Sequence, residues 1–410
     1  MTVTTPEGVP RMLTPAEADV LIARHTVRLP EASLPLLQCA GAVLRETIHA
    51  ERDQPPFDRV TMDGIALSST AASTGARRFR IEATQAAGEA AGTLASPQGC
   101  IEVMTGTPLP HGCDCVIPVE QISVRDGTAS LSDEVRVEAW QNVHRRGTDA
   151  REGAPLVAAG TRLGPVEIAL AAAAGMARVR VASQPMLAVI STGNELIEPG
   201  EPILAHQVRR SNAYAIAAAL MLRGYPRLGL DHLRDESAQL QERLKFYLET
   251  HDVLVLSGGV SMGRLDLVPQ TLDKLGVRRV FHKIAQRPGK PLWFGVAPSG
   301  AVVFALPGNP VSTAVCMSRY VLPALAAAQG HTPPLPERIA LGEAFTAAPA
   351  LTLFLPVRVA TDEQGARAAL PHPTHGSGDF TSLAGTDGFI ELPPGPRTYP
   401  RGFVTCLYRW

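Results

Sequence analysis

The sequence has no long hydrophobic run, little cysteine and no excess of either charge, and each shortage removes a class of protein. Six cysteines in 410 residues (Cys39, Cys100, Cys113, Cys115, Cys316, Cys406) are too few for a disulfide framework, so reduced thiols are expected. Cys113 and Cys115 with nearby Cys100 could be drawn as a metal cluster. A C-x-C spacing with no second pair and no near histidine fits no zinc pattern, however, and small buried residues at a strand end are the simpler reading. The eleven histidines are scattered, and the closest set, His372 and His375, falls in a Pro/Gly-rich stretch expected to be a solvated loop. A formal charge of −1 and a pI near 6.8 provide no basic face for a polyanion such as nucleic acid, so any anionic ligand must meet a local basic site. The longest apolar stretch, near Ile168–Ala177, is far short of a membrane span, and MTVTTPEGVPRML lacks the basic start and apolar core of a signal peptide. The expected location is the cytoplasm. A phosphate loop of the form G-x-x-x-x-G-K-S/T is missing, which disfavours a P-loop nucleotide hydrolase, and no internal repeat is visible.

What is present is apolar material enough for several cores, 45% of residues, in a chain too long for one ordinary domain. Thr14-Pro15-Ala16-Glu17 predicts a helix start, with a capping hydroxyl, proline at the first position and glutamate at the third, running to about His25. A second amphipathic, helical stretch is expected at Pro35–Leu44. The paired prolines and Asp63-Gly64 of ERDQPPFDRVTMDG then force a loop, with a boundary near Glu51. From Ile65 to about Asp149 short β-like runs (Arg78–Ala83, Cys100–Met104, Cys115–Val119, Val135–Ala139) predict a compact β domain. An alanine-rich helix from Gly164 to Gly175, followed by ARVRVA, is expected to complete the first domain across that insertion. Residues 186–328 alternate apolar strands with helical stretches of the length that right-handed crossovers use, so a doubly wound α/β domain is predicted. Beyond Thr332-Pro333-Pro334 the text is again β-like with many breaks, which suits a small barrel or sandwich.

In an open parallel sheet the ligand lies beyond the carboxyl ends of the strands. The loops there carry Glu195, Asp235 and Asp266, three carboxylates, and two amide-rich or basic stretches. Ser257-Gly258-Gly259-Val260-Ser261 follows an apolar strand and precedes a helix; it reads equally as a phosphate cradle and as an ordinary tight turn. Pro307-Gly308-Asn309-Pro310 offers an N-cap asparagine and a first-turn proline that aim a positive helix end at the same rim. Lys283, Arg287 and Lys290 fall within eight positions, and Pro288-Gly289 could bend the chain to converge them on a phosphorylated ligand. Carboxylates on that rim would repel such a ligand unless a divalent cation bridges them, so a joint site for phosphate and Mg²⁺ is implied.

These residues resemble a family. PPFDRVTMDGIAL (55–67), EVMTGTPLPHGCDCVIPVEQ (102–121), RRGTDAREGAPLVAAGTRL (145–163), STGNELIEPGEPI, RRSNAYAIAAAL, SGGVSMGRLD, KIAQRPGKP and ALPGNPVS match, in order, the signatures of the molybdopterin molybdenumtransferases, the MoeA and gephyrin E-domain family. The resemblance implies a helical dimerisation domain (1–51 plus 152–184), a β insertion domain (52–151), an α/β molybdopterin-binding domain (185–330) and a C-terminal β-barrel-like domain (331–410). It implies adenylylated molybdopterin and molybdate as substrates, Mg²⁺ as cofactor and release of AMP. It also implies a homodimer whose active sites are shared between subunits, and transient contact with a molybdopterin adenylyltransferase and molybdoenzyme chaperones. Apolar helical faces at 35–48 and 165–175 would supply the dimer contact. The family's functional positions fall on Asp63, Thr105, Asp149, Glu195, Asp235, Asp266, Lys283, Arg287, Pro307, Pro310 and Ser377. Glu195, Asp235 and Asp266 would set metal and water against the phosphoanhydride, and Lys283 and Arg287 would neutralise its developing charge. Asp63 and Thr105 would close the site from the partner. Ser257, Gly258, Gly259, Ser261, Lys290, Gly308 and Asn309 would complete the substrate contacts. Val60, Thr61, Thr148, Arg264 and Arg287 depart from the family's usual residues; Thr148 replaces a usual acid and Arg264 stands at an often acidic position, but none removes one of the carboxylates carried over above.

Two other readings compete. A single-domain molybdopterin adenylyltransferase resembles residues 186–328 only, whereas this chain extends on both sides. A scaffold that keeps the dimer and fold without the chemistry would not need the acidic rim.

Overall fold

The computed structural model describes residues 3–4, 10–260, 267–332, 336–347, 350–395 and 397–410. Ser261 and Asp266 of the expected site lie outside them.

Helix α1 (Pro15–His25) begins as its sequence dictates. Thr14 Oγ accepts the Glu17 N–H at 3.3 Å, and the Glu17 carboxylate takes the Thr14 N–H at 2.8 Å. Its buried Ala18 and Ile22 pack with Leu187, Val189 and Phe304, in the core of the α/β sheet. The strand Glu31–Pro35 that follows pairs antiparallel with Arg178–Ala182. The helix expected over Pro35–Leu44 shrinks to one 3₁₀ turn, Leu36–Cys39. Gly41, at φ +78°, ends that turn, and the next amides leave for another partner: Gly41 and Leu44 donate to the Leu163 and Thr161 carbonyls at 2.8 and 2.9 Å.

The insertion forms a six-stranded sheet in the order Ile122–Arg125, Thr128–Leu131, Arg78–Gln85, Gly99–Val103, Gly64–Leu67, Cys115–Pro118. Short helix α2 (Ser69–Ser73) buries Ala72 against it. Val135–Ala139, expected as a strand, is irregular; Val135 and Val137 still cover the apolar face, so burial without ladder pairing produced the strand-like pattern. Cys100, Cys113 and Cys115 are free and buried in the insertion, and burial pushes each thiol up to about 12. The chain then returns to helix α3 (Pro165–Ala173), whose Ala171 packs with Cys39, Leu44, Ile48 and Val179.

The α/β sheet runs Leu228–Leu233, Leu187–Thr192, Val253–Ser257, Val302–Leu306, Trp293–Val296, Arg278–His282. The first four strands pair in parallel, Trp293–Val296 runs against them, and Arg278–His282 pairs antiparallel with it. Because side chains alternate along a strand, Leu187 and Val189 face one apolar cluster while Ala188 and Ile190 face another. Helix α4 (Ser211–Leu222) joins α1 on the first face; α5 (Ser237–Thr250) and α6 (Leu267–Lys274) cover the second. Helix α7 (Pro310–Cys316) continues through a π turn, Met317–Val321, into α8 (Leu322–Ala328), also on the first face. This continuous span, Pro310–Ala328, is the one helix among the described residues apolar and long enough to cross a membrane. It exceeds the longest apolar stretch read from the sequence, and 72% of it is buried within the fold, as a core helix must be.

After α8 the strands Thr352–Thr361, Arg367–Pro371, Arg338–Leu341, Val404–Arg409 and Gly388–Leu392 close on themselves into a five-stranded barrel, with the last strand pairing back to the first. Gln286 and Arg287, from the α/β unit, pair parallel with Thr352 and Leu353, so the barrel receives the edge of the basic loop.

Candidate active site

Four parallel strands end on one edge, and their loops line a cavity of about 340 Å³: Thr192, Gly193 and Glu195 after the first, Asp235, Gly258 and Gly259, and Pro307, Gly308 and Asn309 after the others. Glycine is required where these loops turn. Gly258 has φ +97°, and a Cβ there would sit 2.6 Å from the Thr192 carbonyl oxygen; one on Gly259 (φ +64°) would lie 2.7 Å from Val268 Cγ2. The Gly258 N–H is taken by the Leu306 carbonyl at 3.2 Å, so Gly258 shapes the turn and is not itself a donor to a ligand.

The carboxylates of Glu195 and Asp235 share this cavity. Asn194 Oδ1 accepts the Asp235 N–H at 3.1 Å, and His232 Nε2 lies 2.8 Å from the Gly193 carbonyl, so the two acidic loops brace each other. Among the described residues no three His, Cys, Asp or Glu side chains converge as a metal cluster. Two carboxylates still suit Mg²⁺ when ligand phosphate oxygens and water complete its six oxygens. Thr192 Oγ1, buried on the same wall, has no hydrogen-bond partner among the described residues, and polar capacity of that kind belongs in a hydrated, oxygen-rich site.

A second cavity of about 470 Å³ shares Pro291, Pro307 and Asn309 with the first and opens between the sheet edge and the barrel. Arg287, Lys290 and Ser377 line it beside the apolar Phe345, Leu353 and Phe354. Lys283, at φ +78°, is not among the residues lining either cavity, so the basic trio is divided. The loop bearing Arg287 and Lys290 rests on Gln286, fully buried, whose amide donates to the Pro288 carbonyl at 3.1 Å and accepts from the Tyr320 hydroxyl of the π turn. A π turn inserted into a long helix is a frequent mark of a functional site, and here it carries the supporting tyrosine.

Helix α7 presents less positive charge to the rim than its sequence suggests. Asn309 stands at the N-cap without a capping bond; its Nδ2 donates to Ser377 Oγ at 2.7 Å, and the Val311 N–H goes to the Ser377 carbonyl at 3.1 Å. Pro310 begins the helix and lines a smaller apolar cavity instead. The Ser377 loop is in turn organised by Asp379, held well below the usual carboxylate range by hydrogen bonds from Ser382 and from the His375 N–H and ring.

Asp63, Thr105 and Asp149 lie on the insertion and line neither cavity. Thr105 donates to Asp63 Oδ1 through both N–H (2.6 Å) and hydroxyl (2.8 Å), which lowers the Asp63 pKa. Asp149 Oδ1 meets His144 Nε2 at 2.8 Å. Around them Met62, Met104 and Trp140 are exposed. Sequence reasoning passed over Thr192, Asn212 and Gln286, although each sits inside a quoted motif, STGNEL, RRSNAY or KIAQRPGKP; their roles depend on what lies opposite.

Residues 13–175 match the family described as the MoeA N-terminal region (domain I and II), 188–327 the probable molybdopterin binding domain, and 338–409 the MoeA C-terminal region (domain IV). A Synechocystis protein named molybdopterin molybdenumtransferase is 36% identical over 97% of this chain and 100% of its own length. The chain belongs to the MoeA family of molybdopterin molybdenumtransferases. A Bacillus subtilis member of that name is 31% identical, covering 88% of this chain and 85% of its own. Two solved structures of the MoeA protein from Pyrococcus horikoshii agree with the fold at TM-score 0.80, at 28% and 25% identity, over 97% of this chain and 99% and 100% of theirs. MoeA regions on both sides of the molybdopterin-binding domain remove the single-domain adenylyltransferase reading.

Proposed function

We propose that this chain inserts molybdenum from molybdate into adenylylated molybdopterin, with Mg²⁺-dependent release of AMP, as a homodimer. The observation that carries the reading is the pair of adjoining cavities. One holds Glu195 and Asp235 beside glycine turns, and the other holds Arg287, Lys290 and Ser377 beside apolar side chains. A phosphoanhydride with a fused ring system needs both environments side by side.

In this reading Glu195 and Asp235 would hold Mg²⁺, with Asp266 as a third carboxylate, and the ion would withdraw charge from the phosphoanhydride oxygens. Glu195 and Asp235 also orient the attacking water, while Arg287 and Lys290 bind the anionic end and Phe345 and Leu353 exclude solvent beside the ring. The scaffold alternative loses ground because Glu195 and Asp235 line a cavity of ligand size.

The test is AMP release from adenylylated molybdopterin by the purified protein, with and without molybdate. Molybdate-dependent release is expected, with a loss of about a hundredfold or more in kcat for Glu195→Gln and for Asp266→Asn at unchanged thermal stability. No release by the wild type, or full turnover in both variants, overturns the reading.

A further inference from the structure

We propose that Asn212 is a positioning residue which sets the spacing between the two glycine-bearing loops of the site. The proposal rests on the 340 Å³ cavity being the phosphate-binding half of that site. Asn212 is the second residue of α4 and belongs to neither loop. Its Nδ2 donates to Ser257 Oγ at 2.9 Å and to the Gly308 carbonyl at 2.8 Å. A carbonyl can only accept, so the amide nitrogen must face Gly308, which settles the orientation of the side chain.

Ser257 ends the strand Val253–Ser257, and Gly308 lies two residues beyond Val302–Leu306, its parallel neighbour. One backbone bond reaches past the first strand end, from the Gly258 N–H to the Leu306 carbonyl at 3.2 Å, and beyond it the loops would be free to splay. They approach instead backbone to backbone: a Cβ on Gly308 would lie 3.6 Å from Gly258 Cα, so no side chain separates them. The NH₂ group of Asn212 carries two protons at a fixed planar angle. With one on each loop it acts as a rigid spacer, and neither an aspartate, which cannot donate, nor an alanine can replace it. Because both loops line the cavity, their spacing is the width of the cradle that receives the phosphate.

An asparagine that merely stabilised the helix start would affect α4 and the global unfolding midpoint. A spacer acts on the loops and on ligand affinity. The experiment uses full-length Asn212→Ala and Asn212→Asp, with hydrogen exchange followed on peptides covering 257–260 and 306–309 and on α5 as a control. AMP is the titrated probe, and kcat and KM for AMP release are measured in parallel.

Both loops are expected to exchange at least about threefold faster in each variant while α5 is unchanged. AMP should bind about tenfold more weakly, and KM should rise more than kcat falls. Loop exchange equal to wild type overturns the proposal. So does faster exchange spread evenly through α4 and α5 with unaltered AMP affinity, since that marks a structural role. If the wild type neither releases nor binds AMP, the functional reading fails, while the exchange comparison, which needs no ligand, still decides whether Asn212 spaces the loops.

Discussion

Gly258 and Gly300 separate two reasons for a glycine that the sequence writes identically. Both sit at strongly positive φ, +97° and +91°, but a Cβ at Gly300 meets nothing within 4 Å whereas one at Gly258 would strike the Thr192 carbonyl at 2.6 Å. Gly300→Ala therefore pays only the left-handed strain, about 1–2 kcal/mol. Gly258→Ala adds a backbone clash that must push Thr192 or the turn itself, and should cost at least about 1 kcal/mol more, with loss of AMP release. Urea midpoints of the two variants check this; equal midpoints would mean that the loop yields freely and the close approach is incidental. Individual chemistry-bearing residues were legible as types and not as pairings. Glu195, Asp235 and Arg287 line cavities as their loop positions suggest, as does Ser377, which the family resemblance alone pointed to, while Lys283 does not, because side-chain direction depends on backbone angles that charge spacing leaves open.

At the scale of elements, the well-capped and strongly periodic segments were read correctly. Thr14 and Glu17 start α1, and the strands of the α/β sheet are so fully buried that their apolar runs could hardly be anything else. Pro35–Leu44 misled because its apolar spacing suits a helix while its actual partners are the Arg178–Ala182 strand and the carbonyls of Thr161 and Leu163, distant in sequence. The π turn within Pro310–Ala328 has no sequence signal at all, yet it delivers Tyr320 to Gln286 beneath the basic loop. Tyr320→Phe removes the donor and leaves the Gln286 carbonyl oxygen buried and unpaired, at a cost of about 1–3 kcal/mol. A fall in the urea midpoint with weaker binding at the Arg287 and Lys290 loop is expected, and an unchanged midpoint would show that the bond contributes nothing.

For the whole molecule the question is how Asp63 and Thr105 on the insertion could serve a site made by the α/β unit. Within one chain neither lines the cavities. A two-fold dimer can bring each set to its counterpart, and the exposed apolar side chains of Leu37 (84%), Val166 (66%) and Leu222 (86%) are surface that association would cover. A homodimer at micromolar concentration with shared sites predicts complementation. Asp63→Ala and Glu195→Ala chains, each inactive alone, should regain a sizeable fraction of AMP release after subunit exchange, because some heterodimers carry one intact site. A mixture that stays dead although exchange is verified would show that all these residues act within one chain.

The sequence by itself determined the family, the order of sheet and helix, and which candidate loops follow the parallel strands. Local propensity, burial pattern and ordered motifs are properties of neighbours along the chain. Only the tertiary structure decided that Asn309 binds Ser377 instead of capping α7, that Asn212 joins Ser257 to Gly308, and that Gln286 answers Tyr320. Those choices arise where polar groups with several possible partners are brought together by packing, and the side chain takes whichever acceptor or donor the fold has placed within about 3 Å.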